Sequence, residues 1–295
     1  MHYKKTAGDR VFDVIIAMFI CVVLIGTLYP LIYVISISIS DPIAAARGEV
    51  WLLPKGIDFT AMRRVLNDSQ LYVYYYNTLW YTLVGTITGI IATTLAAYPL
   101  SRPEFKSRSF FMKIIMFTMF FSGGLIPTYI VVAKYLHLYN SRWALILPGL
   151  TSAWYITVAR SFFQSLPSEI IESARIDGAS EYQIFGRLVL PLSKPIIGVL
   201  GLYYAVSHWN AYFSAMLYLG KKELQPLAMY VRSVVIQNNI GSVAEDVIEV
   251  TAADLLSSLQ IKYAVVVVAI LPMLLIYPFF SKNLEKGLMV GAVKG

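Results

Sequence analysis

His208 is the one ionisable residue lying well inside an apolar run of this 295-residue chain, in Gly201-Leu-Tyr203-Tyr204-Ala-Val-Ser207-His208-Trp209-Asn210-Ala-Tyr212. Ion-driven transport places Asp, Glu or His deep in the bilayer, because a titrating or coordinating group has to face the ion path. One histidine is thin material for that, and it equally fits a hydrogen-bonded packing role. Asp13, Lys113 and Arg160 fall near the ends of apolar runs, where side chains can reach the interface. Cys21 is the single cysteine, so there is no disulfide framework, no metal-ligand spacing and no Cys/His nucleophile pair, and it reads as a packing residue. No other catalytic constellation is visible. The chain also lacks a Gly-x-x-x-x-Gly-Lys-Ser/Thr loop to cradle ATP phosphates. If it moves a solute uphill, another subunit supplies the work.

The aromatic faces and small polar groups around His208 suit stacking on sugar rings with hydrogen bonds to hydroxyls. Tyr204, His208, Trp209, Asn210 and Tyr212 are therefore candidates for a substrate pathway, with Trp154 and its neighbour Tyr155 as weaker ones. Trp and Tyr also enrich at membrane interfaces and in helix packing, and that reading stays open.

The elements that must position these residues are membrane helices. The chain is 58% hydrophobic and 14% charged, with mean hydropathy +0.65, which excludes an ordinary water-soluble domain. Its net charge of +7 is scattered between apolar runs and does not line one face, so a nucleic-acid partner is not expected. A bilayer core of roughly 30 Å takes about 20 apolar residues per helix. Six runs qualify: Val11 to Ile37, Val73 to Leu100, Phe110 to Val132, Trp143 to Phe163, Pro195 to Leu219 and Tyr263 to Phe280. The first follows Lys4, Lys5 and Arg10 and is longer than a signal h-region, so it reads as a retained signal anchor; Ala44-Ala45-Ala46 is the one hint of a cleavage site. The expected fold is all-α, a single polytopic transmembrane domain over residues 1–295. With both termini inside, 14 of the 24 Lys and Arg residues fall on the inner side and 10 on the outer, which favours cytoplasmic termini. Two outer segments, 41–71 and 220–261, are long enough for structure of their own, either a solvated cap or a docking surface for an outside partner.

The longest inner loop, 165–195, carries signals for two short helices. Pro167 suits a first turn, and Glu169 and Glu172 sit where the helix dipole favours carboxylates. Asp177-Gly178 ends that helix at a left-handed cap. Ser180-Glu-Tyr-Gln183 makes a capping box that starts the second, which Pro191 and Pro195 are expected to stop. A rigid helix-turn-helix of this kind is suited to a groove on another protein.

Glu172-Ser-Ala174-Arg-Ile-Asp177-Gly178-Ala179-Ser180, then Phe185 and Leu188-Val189-Leu190-Pro191, resembles the EAA loop of ATP-binding-cassette importer permeases. Ser173 stands at the first Ala of that motif and Leu188 at its usual Ile. Ala96-Ala97-Tyr98-Pro99-Leu100-Ser101-Arg102, Trp209-Asn210, and the tail from Lys286 to Gly295 are similar to the smaller permease of maltose-type carbohydrate importers. Within that group the chain resembles the LplC/YtcP-like branch, associated with oligosaccharides and polysaccharide fragments. The resemblance implies the type I importer permease fold in a bacterial cell membrane. It implies half of a translocation pathway for a sugar, an acidic one such as an alginate or pectin fragment included, and no enzymatic role for this chain. The implied partners are a second permease, two cytoplasmic ATPases holding ATP and Mg, and an external solute-binding protein. In this resemblance Glu172, Ala174, Asp177, Gly178, Ala179, Phe185 and Pro191 belong to the ATPase-coupling loop, and Gly291, Val293 and Lys294 of the tail are candidates for contact with the ATPase. A permease for amino acids, peptides or phosphate would share the loop but not the Gly-Ala-Val-Lys-Gly tail. An ion-driven transporter would need intramembrane carboxylates.

Overall fold

The computed structural model describes residues 7–240 and 259–275 and is all-α, with no strand among them. The elements in order are α1 Ala7–Ser38, α2 Pro42–Ala46, α3 Thr60–Leu66, α4 Ser69–Ser101, α5 Arg108–Phe120, α6 Leu125–Ile130, α7 Ala153–Gln164, α8 Ser168–Ile176, α9 Glu181–Ile184, α10 Leu190–Leu192, α11 Lys194–Trp209, α12 Tyr212–Tyr218 and α13 Leu227–Ile240, followed by α14 Leu259–Leu275. Apolar helices of this length and number make it a polytopic membrane protein. The chain divides into two compact units, Met1–Ser69 with Val231–Leu271, and Gln70–Tyr230 with Pro272–Gly295.

The six apolar runs differ in continuity. The first two are single long helices, Gly8–Ser38 and Ser69–Ser101. The third is not one helix: Arg108–Phe120 and Leu125–Tyr135 meet at 114°. Phe121 turns extended and Gly124 takes φ +84°, a left-handed value that breaks a right-handed helix. The fourth run winds into short 3₁₀ turns around Pro148-Gly149 and becomes α-helical only at Ala153. The fifth breaks at Asn210-Ala211 between α11 and α12. α14 covers the start of the sixth; its predicted end at Phe280, the tail residues Gly291, Val293 and Lys294, and positions 241–258 of the outer segment lie outside the described residues. Cys21, read as a packing residue, is exposed on α1.

In the first unit, segment 39–66 is folded back on the end of α1. Ser36 Oγ donates to Leu52 O at 2.7 Å, and Ser40 Oγ accepts from Lys55 N at 3.2 Å. Asp41 Oδ2 caps α2 through Ile43 N and Ala44 N, both at 3.0 Å. The Gln260 amide on α14 donates to Ser40 O, and Ile37, Ala45 and Val50 form a small core with Tyr33 and Tyr263 against it.

The second unit has a core at each end of α4. Toward Ser101, Ala97, Tyr98 and Leu100 meet Ile156, Phe163, Ile171, Ile184, Val189 and Leu200 in one buried cluster. Toward Ser69, Tyr81 packs with Leu145, Ile146, Tyr218 and Leu219. That end also fastens the start of the 220–261 segment. Asn77 Nδ2 donates to Glu223 O at 2.6 Å, Tyr81 Oη to Leu224 O at 2.7 Å, and Leu227 N to Thr78 Oγ1 at 2.7 Å. Arg142 Nη2 donates to Asn77 Oδ1 at 3.0 Å, with its guanidinium 4.9 Å from the Trp80 ring centre.

Candidate functional site

The segment from Ser168 to Leu192 forms two short helices around a tight turn, as its capping signals require. Pro167 stands as the N-cap residue, one position ahead of the first helical residue. At the other end of α8, Gly178 N donates to Arg175 O and Ala179 N to Ala174 O, both at 3.0 Å, with Gly178 at φ +80°. This pair of reversed bonds satisfies carbonyls that a helix end leaves open. Ala174 and Ala179 make the second of these bonds, and both pack against the buried cluster at the Ser101 end of α4. Asp177 is the C-cap, exposed, and Glu172 is exposed on the same helix. Ser180 Oγ accepts from Gln183 N while Gln183 Oε1 accepts from Ser180 N, completing the capping box of α9.

Beyond α9 the structure departs from the sequence expectation. Pro191 does not stop the helix but lies inside it, exposed in α10. A π-turn over Phe185–Val189 precedes it. Widening the turn relieves the clash between the proline ring and the preceding carbonyls. The chain bends by 79° between Leu192 and Lys194, at Ser193, with Pro195 in the first turn of α11. Phe185 lies against Tyr98, ring centres 4.9 Å apart.

Polar contacts link this segment to the end of α4 and to the turn after it. Glu181 Oε1 accepts from Arg175 Nε at 3.0 Å, and Glu181 Oε2 from Tyr98 Oη at 2.8 Å. Arg175 Nη1 also donates to Glu104. That hydrogen bond is the first cause holding the Glu104 carboxyl below its usual value and raising the Arg175 guanidinium. Nothing in the residue spacing announces this cluster, because its members come from 98, 104, 175 and 181. Ile176 and Tyr182, each next to a member of this cluster in sequence, are 86% and 88% exposed.

The substrate-pathway candidates divide. His208, Asn210 and Tyr212 line one cavity of about 460 Å³ with Ser207, Ser214 and Thr128. Among the described residues that line it there is no Asp, Glu, Lys or Arg. Trp209 is buried and does not line it; Tyr204 is buried too, its Oη 2.5 Å from Thr93 Oγ1. Trp154 is half-exposed in an aromatic group with Tyr155 and Tyr203, its ring centre 5.5 Å from that of Tyr203. Among the described residues no group of His, Cys, Asp or Glu could hold a metal ion.

Residues 3–290 match the family described as binding-protein-dependent transport system inner membrane component. The chain is 38% identical over 295 residues to Protein LplC of Bacillus subtilis, covering all of this chain and 98% of that one. It is 37% identical to the polygalacturonan/rhamnogalacturonan transport system permease protein YtcP of the same organism, covering 97% and 99%. Its fold superimposes on a chain of a bacterial ABC transporter involved in the import of the acidic polysaccharide alginate, with TM-score 0.85, 34% identity, and coverage of 95% and 99%. The chain belongs to the binding-protein-dependent transport system inner membrane components, as a non-enzymatic permease subunit of an ATP-binding-cassette importer.

Proposed function

We propose that this subunit forms half of a translocation pathway for oligosaccharides, fragments of acidic polysaccharides included, and takes its work from ATPases docked on residues 168–192. The observation that carries the reading is the doubly capped helix-turn-helix with Ile176 and Tyr182 presented outward. Large apolar side chains held on a rigid turn are the anchors a protein groove needs. YtcP and the alginate importer support the substrate class. The neutral hydrogen-bonding lining around His208 and Asn210 suits hydroxyls. Charge recognition of an acidic sugar then falls to a second permease or to the external binding protein. In this reading both termini and residues 168–192 are cytoplasmic, and two ATPases and a second permease complete the complex.

The test is purification of the complex with Ile176→Ser and Tyr182→Ser combined. The second permease should remain and the ATPases should be lost. Retention of both ATPases at parental stoichiometry would remove the docking assignment.

A further inference from the structure

Four side chains from four separate segments meet in one network at the Ser101 end of α4. Tyr98 comes from α4, Glu104 from the turn after it, Arg175 from the last turn of α8 and Glu181 from the first of α9. The network ties the two short helices to each other and both of them to α4. Its energetics do not make it a clamp for the fold. Glu104 and Glu181 side chains are 53% and 54% exposed and Arg175 is 31% exposed; pairs that wet are screened and contribute little. What the network fixes is geometry. The buried Tyr98 ring is already held by Phe185, and its hydroxyl reaches out to Glu181.

Two further features point to movement at this place. Arg102 lies over the Tyr98 ring at 4.9 Å, yet its Nε and Nη2 are buried without an acceptor among the described residues. Buried donors left open cost free energy, and these two on the half-exposed Arg102 can still take an acceptor. A cavity of about 470 Å³ opens beside it, bordered by Tyr98, Arg102, Glu104, Arg175, Glu181 and Phe185. The carboxylates therefore have room to exchange one arginine for the other.

We propose that Tyr98, Glu104, Arg175 and Glu181 form the joint through which displacement of residues 168–192 reaches α4, with Arg102 as the alternative partner of the carboxylates. Tyr98 is then a positioning residue for transport. This rests on the docking reading above, because the joint has a task only if the helix pair is pushed from outside the chain. Without the Tyr98 to Glu181 bond only the apolar packing of Ile171, Ile184 and Val189 against Ala97, Tyr98 and Leu100 passes the push to α4, so ATP is hydrolysed with less sugar moved.

The experiment uses the complete importer in proteoliposomes, with loaded binding protein, and reads sugar accumulated per ATP hydrolysed. Tyr98→Phe removes one oxygen and keeps the ring against Phe185; Glu181→Gln keeps the shape and removes the charge. Both should keep the ATPases bound and lower the ratio several-fold. An unchanged ratio in Tyr98→Phe overturns the joint, and that variant decides alone if Glu181→Gln does not accumulate. A merely structural role would lower protein yield or hydrolysis and leave the ratio where it was. A parental complex that holds no ATPase would overturn the docking reading, whereas an unchanged ratio in a complex that holds two overturns the joint only.

Discussion

The His208 ring occupies the space beside Gly85 so closely that a Cβ there would fall 2.3 Å from His208 Nε2. One turn on, a Cβ at Gly89 would fall 2.7 Å from the Tyr204 ring. Gly85 and Gly89 lie on one face of α4, and the two missing side chains let two rings of α11 approach. Gly85→Ala should therefore destabilise the subunit by about 1–3 kcal/mol through overpacking. Thermal unfolding in detergent reads it, and truncating the ring with His208→Ala in the same chain should recover part of the loss. If the two changes simply add, the close approach is not what limits the site.

Gly178 has a different constraint. Its added Cβ would meet nothing within 4 Å among the described residues, and its φ of +80° is what resists substitution. Gly178→Val should cost about 1–2 kcal/mol locally and reorient α8 against α9. Gly178→Asn should be milder, since Asn tolerates the left-handed region. ATP hydrolysis stimulated by the binding protein should fall in the order Gly, Asn, Val while membrane insertion persists. Equal stimulation in all three would show that the turn need not be rigid.

The pH response of the joint follows from Glu104. Arg175 holds its carboxyl below the ordinary 4.5. A depressed carboxylate contributes stability that is present above its unfolded value and is lost as pH falls through the folded value. Hydrogen exchange of α8 amides, corrected for intrinsic rate, should therefore be flat from pH 8 down to about 5 and rise only below 4.5. A rise beginning near neutrality would assign the response to another group.

The parts of this fold that were legible in sequence are those set by local rules. The capping box at Ser180-Gln183 and the cap at Gly178 depend on residues within one turn, and both form as the spacing implies. The long spans α1 and α4 follow from unbroken apolar runs. The breaks were harder to read because apolar composition does not report backbone direction. Gly123-Gly124 and Pro148-Gly149 were visible as breakers inside runs that still average apolar. Pro191 misled in the opposite sense, since the π-turn over Phe185–Val189 just ahead of it makes room for the ring and the helix continues to Leu192. Gly85-x-x-x-Gly89 was a readable small-residue signature for the α4 to α11 approach, whereas the Tyr98, Glu104, Arg175 and Glu181 network required the fold.

Orientation is the remaining expectation that a direct measurement decides. Placing both termini inside puts 14 of the 24 basic residues on the inner side and 10 on the outer, seven of those ten in the long segments 41–71 and 220–261. Ser180 and Glu223 make suitable reporters because both are exposed, Ser180 on the helix pair and Glu223 on the strap that Asn77 fastens near the opposite end of α4. Cys21 on α1 is replaced first, so that the introduced cysteine is the single thiol of each variant. In intact spheroplasts an impermeant thiol reagent should then modify Glu223→Cys and leave Ser180→Cys untouched until the membrane is opened. If Ser180→Cys is modified in intact cells and Glu223→Cys is shielded, residues 168–192 face outward, and docking of a cytoplasmic ATPase on them is ruled out.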